Sequence, residues 1–488
     1  MSDRTVTSRP RQIGIIISGS LAGFMVLLDS NIVNISLPEI ATFFNISTTE
    51  VVQITLIYLL MISSTLIIFG KLADKYGVKR IFVTGFSLFT VSSLLCGLAT
   101  SFSLLLGARV LQSLGGSMLF ATAITLITRF IPASRRGWAF GIFSPVSSLG
   151  MLIGNPLGGL ITGMLNWHWI FFVNIPVGIF AVFFALRIIP SDRPEPRSEK
   201  IRQRFDFVGS LVSFSGLALL VFFLSKGKTF GWDSAVMILG LLSSVLLLVV
   251  FVIWERRVKD PILDLSIFSS RSFSFAILAS IAGFGLMAGS NVLLPFYIIY
   301  GLHIDVTHAG FIMMTFAVVF SMFSPVTGRL SDRVSKVGLI NSGMFLAAGS
   351  CLAFALLLPQ LHLGILFGFM VLLGLSYALF ITPNNNMVMS LAPVGKQAIS
   401  SSVFKLGTNL GQMFGLILME MIFTMSISQT AGSKEVALTT IPITGLTIGF
   451  SWAYVGGAVL CLVAVVFSFF IRKKETKITE SEETAFLY

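Results

Sequence analysis

Four charged side chains stand inside long apolar stretches of this 488-residue chain: Asp29, Arg109, Lys405 and Glu420. A charge at mid-bilayer costs at least about 2.5–3.5 kcal/mol on insertion scales, so each needs a partner or a water-filled cavity. An Asp and an Arg at one depth can pair, and such a pair can handle a proton. A carboxylate in a low-dielectric cleft holds its proton more tightly, while a guanidinium beside it favours release. Moving the two together and apart would load and discharge one proton; held rigidly, they would only pin two helices. Glu420 stands in Met419-Glu420-Met421 and is followed by Phe423. A carboxylate among soft, adaptable side chains suits a cationic, apolar ligand. Lys405 is read as a snorkelling side chain whose ammonium reaches the membrane surface. The chain has no P-loop, so direct coupling to ATP is not expected. Cys96, Cys351 and Cys461 fall within apolar stretches and suggest neither a disulfide framework nor a metal site. No cofactor is expected.

The elements that carry these residues follow from composition. The chain is 55% hydrophobic and 11% charged, with a mean hydropathy of +0.92, whereas soluble domains carry about 25% charged residues. That excludes a soluble enzyme, a nucleic-acid-binding module and a disordered protein. A hydrocarbon core about 30 Å thick takes roughly 20 helical residues to cross. The apolar stretches predict fourteen helices, over 12–36, 51–70, 81–99, 104–128, 138–162, 168–188, 207–225, 234–254, 272–298, 306–328, 337–358, 362–382, 398–427 and 448–471. On these bounds Asp29 and Arg109 both lie roughly 10 Å below one surface, since a helix rises 1.5 Å per residue. Glu420 comes out at a similar depth. The first stretch follows Arg4, Arg9 and Arg11 but is too long for a signal peptide and holds Asp29, so it is read as a retained helix.

The net charge of +12 is parcelled into short runs between the helices. With both termini on the cytoplasmic side, 28 of the 33 Lys and Arg residues fall in alternate, cytoplasmic loops. The positive-inside rule fixes that orientation. A weak repeat supports two halves. Gly70-Lys-Leu-Ala-Asp74-Lys matches Gly328-Arg-Leu-Ser-Asp332-Arg, and Ile131-Pro-Ala matches the segment beginning at Ala392-Pro. The expected organisation is a six-helix bundle over 12–188 and a cytoplasmic linker over 189–206. An inserted helix pair over 207–254, a second six-helix bundle over 272–471 and a cytoplasmic tail over 472–488 follow. Parallel six-helix repeats are a recurrent transporter plan, with the substrate between the halves.

With these motifs the chain resembles the major facilitator superfamily, in its fourteen-span drug:proton antiporter class. Leu28-Asp29-Ser-Asn-Ile-Val-Asn34-Ile-Ser-Leu-Pro38 is similar to that class's first-helix motif. Gly70-x-Leu-Ala-Asp74-x-x-Gly77-x-Lys79-Arg80 resembles the signature loop, Arg109-Val-Leu-Gln112 the fourth-helix motif, and Gly150-x-x-x-Gly154-Asn-Pro156-Leu-Gly158-Gly159 the antiporter motif. Trp167-His-Trp169-Ile-Phe-Phe-Val-Asn174-Ile-Pro176-Val-Gly178 adds a pattern of the fourteen-span class. The resemblance implies an all-α fold of two six-helix bundles plus an inserted pair. It also implies proton coupling by Asp29, Arg109 and Glu420. Substrate would meet Asp29, Asn31, Asn34, Gln53, Tyr58, Gln112, Phe296, Tyr297, Tyr300 and Glu420. Gating would fall to Gly70, Asp74, Gly77, Arg80, Gly154, Pro156, Gly158, Gly159 and Asp332.

The expected protein is therefore no enzyme but a proton-coupled exporter of amphipathic, cationic organic compounds, working as a monomer in the cytoplasmic membrane without a nucleic-acid partner. Two rivals stand beside it. A same-fold exporter of one metabolite, lipid or amino-acid derivative would lean on uncharged groups such as Asn31 and Gln53. A non-transporting sensor or scaffold would have no reason to keep four buried charges.

Overall fold

The computed structural model describes residues 6, 8–191, 206–231, 233–258, 261, 263, 265–360, 362–392, 397–431 and 443–471. Among the described residues fourteen helices are long and apolar enough to cross a membrane. They are α1 (Arg9–Phe44), α2 (Thr48–Tyr76), α3 (Val78–Gly97), α4 (Phe102–Phe130), α5 (Arg136–Met164), α6 (Trp169–Ile188) and α7 (Phe207–Gly227). The others are α8 (Ala235–Glu255), α9 (Arg271–Gly301), α10 (Val306–Ser331), α11 (Lys336–Gln360), α12 (Leu363–Leu391), α13 (Ser400–Ile427) and α14 (Ile443–Phe469). Helices suit such a chain because lipid offers the backbone no hydrogen-bond partners. Most of the linker expected over 189–206, and the tail over 472–488, lie outside the described residues.

Polar residues set where many helices start. The hydroxyls of Ser101, Ser234, Ser270 and Ser335 accept from backbone N–H groups three residues on. Ser47 and Glu50 form a reciprocal capping box at the start of α2. Asp305 accepts from the N–H groups of Thr307 (2.9 Å) and His308 (3.1 Å) and starts α10. Its other carboxylate oxygen is hydrogen-bonded to the His308 ring, which holds the acid below the usual carboxylate range. The cap is then fully formed above the ordinary Asp range and is lost as pH falls through the lowered value. Asp305→Ala is expected to cost about 1 kcal/mol, visible as a lower melting temperature at pH 7. A wild-type advantage undiminished in strong acid would contradict that account.

Several helices outrun their expected bounds. α1 continues through Pro38 to Phe44, where Asn45 closes it in a left-handed conformation (φ 52°). A proline within a membrane helix removes one backbone donor and is tolerated there; beyond it Thr42 Oγ1 donates to the Pro38 carbonyl at 3.1 Å. Asp29 is thus fifteen residues from the end of α1, about 22 Å along its axis, and not near a surface. α2 runs to Tyr76, so most of the expected signature loop is helix.

The packing repeats from half to half. α1 lies on α5 as α9 lies on α13; α3 on α4 as α11 on α12; α2 on α4 as α10 on α12; α3 on α6 as α11 on α14. Close approach in the first of these pairings comes from glycine. A side chain at Gly154 would meet Asn31 Cβ at 2.6 Å, and one at Gly158 would meet the Ile32 carbonyl oxygen at 2.6 Å. In the second half, Gly411 and Gly415 abut the α9 backbone at Ile281 and Gly285. The inserted pair packs as a hairpin, and α7 lies against α2 and α13, one helix from each half. The hairpin's base is tied by the Trp254 indole, which donates to both Asp206 oxygens at 3.0 and 3.1 Å.

Candidate functional site

The α1–α4 pairing places Asp29 opposite Arg109. Arg109 Nη1 donates to Asp29 Oδ2 at 2.7 Å, and the two side chains are 1% and 0% exposed. Asp29 Oδ1 accepts from Gln112 Nε2 and from Asn174 Nδ2, each at 3.0 Å. Gln112 stands three residues after Arg109, hence on the same face of α4. Its carbonyl oxygen accepts from Arg109 Nη1 at 2.6 Å, and its amide donates to Ser93 Oγ at 2.8 Å. The guanidinium carbon lies 4.4 Å from the centre of the Tyr58 ring and 5.7 Å from that of Phe171. Arg109 Nε is buried without a partner. One carboxylate thus meets one guanidinium and two amides in a dry interior, where charge-assisted hydrogen bonds are strongest.

All of these partners belong to the first bundle. Asp29, Gln112 and Tyr58, expected to touch substrate, are sealed away from the second half in this state. The ion pair expected from the sequence is present; its placement in a shared cavity is not. Asn174, Ser93 and Phe171 complete the cluster and were not singled out for it. Asn174 stood within the Trp167–Gly178 pattern, which is the one signal that marked it.

A second set of residues ties the halves together. Asn291 Nδ2 on α9 donates to Asn31 Oδ1 at 3.0 Å, and Asn155 Nδ2 on α5 lies 3.4 Å from Asn291 Oδ1. Tyr300 Oη lies 2.6 Å from Thr42 Oγ1 and 2.9 Å from the Pro38 carbonyl oxygen. Thr307 Oγ1 donates to the Gly159 carbonyl at 3.3 Å. Glu420 Oε1 accepts from Thr424 Oγ1 on its own helix and from Thr49 Oγ1 across the seam. A side chain at Gly310 would meet the Asn155 carbonyl oxygen at 2.5 Å and Pro156 Cα at 3.2 Å. Among the described residues, every hydrogen bond between the two six-helix bundles lies in the half of the helices remote from the basic loops.

The remaining expectations fall variously. Asn34 is held within the first bundle, accepting from Thr55 Oγ1 at 2.9 Å. Gln53 opens the long segment of α2 with its Nε2 buried and unpartnered. Phe296 is buried beside the Tyr300 ring. Tyr297 faces into the second bundle, 4.9 Å from the Phe450 ring centre and donating to the Leu358 carbonyl at 3.4 Å. It therefore does not line the space between the halves. Gly150, Gly154 and Gly158 face α1, but Gly159 turns to α10 and meets Val306 and Gly310, so the four glycines do not share one face. Trp167 is buried and stacks on His168, whereas Trp169 and Trp452 are exposed. Trp232 lies outside the described residues.

At the basic end the picture reverses. A side chain at Gly70, Gly137 or Gly141 would meet nothing within 4 Å, so Gly70 permits no close helix contact here. Gly77 does make the tight turn, at φ 101°. Asp74 is exposed on the last turn of α2, a helix C-terminus, and not at the helix N-terminus that would favour its charge. Arg80 lies in the first turn of α3 and Asp332 at the end of α10, both exposed. Lys71 reaches the Pro261 carbonyl at 2.7 Å, linking this corner to the segment after the inserted pair. Lys405 does not snorkel: its Nζ lies 4.9 Å from the centre of the Phe120 ring, across the seam on α4.

Comparison with known proteins agrees with this architecture. The Major Facilitator Superfamily profile matches residues 19–416. The riboflavin transporter RibZ of Clostridioides difficile is 28% identical over 458 residues, covering 93% of this chain and 97% of that protein. The multidrug export protein EmrB of Haemophilus influenzae is 30% identical over 397 residues, covering 79% of this chain and 75% of its own. Among solved structures, a bacterial homologue of the human lysosomal transporter Spinster, inward-facing and unoccupied, superposes with a TM-score of 0.67 at 15% identity. That match covers 95% of this chain and 97% of the other.

Proposed function

We propose that this chain, which belongs to the Major Facilitator Superfamily in its fourteen-span drug:proton antiporter class, exports amphipathic organic compounds in exchange for protons by alternating access. The observation that carries the reading is the sealed Asp29–Arg109 pair. A protein that only scaffolds has no use for a dry ion pair, since apolar replacements of such pairs are often as stable or more so. A proton carrier does, because protonating the carboxylate removes the attraction that keeps α1 and α4 in register.

In this mechanism the basic loops face the cytoplasm, and the state described is closed on the outside. Asn31, Asn155, Asn291, Tyr300 and Glu420 form the outer closure, with Gly159 and Gly310 allowing α5 and α10 to touch. The glycine seam on α5, interrupted by Pro156, is the surface on which α1 shifts. Gly70, Gly77, Asp74, Arg80 and Asp332 act when the cytoplasmic end closes, bringing Asp74 of the first half and Asp332 of the second to the seam. Glu420, beside Met419 and Phe423, carries the expectation of a cationic group on the substrate. The unit is a monomer in the cytoplasmic membrane, and its partners are protons, the lipid bilayer and the substrate.

A second reading, export of one specific metabolite, is favoured by the neutral Asn31–Asn291–Asn155 ladder, since amides select by hydrogen bonding. The similarity to RibZ, a riboflavin transporter, supports it too. One assay addresses both. Inverted vesicles are energised with a pH gradient, and uptake of ethidium and of riboflavin is compared in wild type, Asp29→Asn and Glu420→Gln. Gradient-driven movement of ethidium, lost in Asp29→Asn, is the expected result. Movement of riboflavin alone establishes the second reading. If neither solute, nor any in a wider panel, moves with the gradient, the antiporter reading falls.

A further inference from the structure

Of the four charges within the spans, three are engaged. Asp29 and Arg109 neutralise one another, and Glu420 accepts from two threonines at the outer closure. Lys405 differs. Among the described residues no carboxylate lies within ion-pair distance of it. It stands eight residues into the helical run that begins at Gln397, about 12 Å along the axis from the basic end. There its ammonium is half-buried and aimed across the seam at Phe120 on α4, some ten residues from that helix's own basic end. An aromatic face offsets only part of a desolvated cation's cost, about 0.5–2 kcal/mol. A cation at this depth is served by water or by a counter-charge, and an apolar ligand that displaces the water must bring the counter-charge with it.

We propose that the counter-charge comes with the cargo. Lys405 and Phe120 form a binding site for an amphipathic compound bearing at least one anionic group, carboxylate, sulfonate or phosphate, with its apolar body against the aromatic surface. The site has contributions from both halves: the cation from α13 and the ring from α4. It lies toward the basic end, away from the hydrogen bonds that join the two bundles, so a ligand arriving from that side meets Lys405 before it meets Glu420. The Phe284 ring on α9 meets that of Phe404, the residue before Lys405, edge-on at 6.5 Å between centres. The inference rests on the exporter reading for its direction but not for its chemistry, because binding at Lys405 needs no proton gradient.

The test is a binding measurement on the purified full chain in nanodiscs, with empty nanodiscs as control. The probes share one skeleton: 1-pyrenebutyrate, which is anionic, and its neutral methyl ester. Wild type is expected to prefer the butyrate by about tenfold, equivalent to roughly 1.4 kcal/mol. Lys405→Gln erases the preference, Lys405→Arg keeps it, and Lys405→Glu turns it toward a pyrenyl trimethylammonium. Gel filtration establishes that each variant is folded. Should Lys405→Gln fail to fold, the Lys405→Arg and Phe120→Leu proteins carry the test, the first retaining the preference and the second reducing affinity for both probes. A butyrate-to-ester ratio near one in wild type, or one unchanged by Lys405→Gln, overturns the proposal. Loss of gradient-driven transport with the binding preference intact counts against the antiporter alone.

Discussion

Asp29→Ala is expected to lower stability by about 3–5 kcal/mol, because it leaves the Arg109 guanidinium buried and uncompensated. The arginine cannot shed its proton, and the groups left beside it, the Gln112 carbonyl oxygen and the Tyr58 ring, are neutral and supply no counter-charge. The loss also strands the amides of Gln112 and Asn174, which donate to the carboxylate. Thermal unfolding of the solubilised protein measures it. Adding Arg109→Met to Asp29→Ala should restore most of the stability, since an apolar side chain of similar length leaves no charge to compensate. Restored stability without restored gradient-driven transport is the expected signature of a pair kept for proton work. A double variant that transports normally would reduce the pair to a helix pin.

Gly159→Leu should shift the molecule away from the state described here. Gly159 touches Val306 and Gly310 on the opposite half, and overpacking of this kind costs about 1–3 kcal/mol. That range corresponds to a change of roughly 5–150-fold in the balance between two states. The readout is labelling of Asn31→Cys by a membrane-impermeant thiol reagent added outside intact cells. The three native cysteines are buried, so background is low. Labelling in the Gly159→Leu background is expected to rise at least about fivefold, with a matching loss of transport. Labelling equal to that with Gly159 intact would show that this contact does not hold the outer end shut.

The helix count and the two-fold plan were legible because hydropathy over twenty residues is a strong signal and lipid leaves the backbone no choice but helix. Helix ends were less legible. α1 passes Pro38 because a proline costs a membrane helix only one backbone donor, and α2 passes Gly70 because a lone glycine costs a helix only about 1 kcal/mol. The Asp29–Arg109 pair could be foreseen, since two opposite charges in apolar spans have few other fates. Its enclosure could not: whether a face looks toward the seam or into its own bundle depends on helix rotation. Rotation also misplaced Tyr297 and Gly159. Asn291 went unnoticed because an uncharged polar residue in a helix carries no cost large enough to demand a partner. Lys405 was read as snorkelling because reach alone permits it, and only the position of Phe120 shows where the ammonium goes.

In the proposed orientation the outer closure is built, among the described residues, from neutral amides, hydroxyls and glycine contacts, with a carboxylate only at Glu420. Hydrogen bonds between membrane helices average about 0.6 kcal/mol, so the handful joining the halves here amounts to a few kcal/mol. One pH unit across a membrane is worth about 1.4 kcal/mol per proton. In the proposed proton exchange a latch and a driving force of the same order would make the two states interconvertible, one protonation tipping the balance and one deprotonation resetting it.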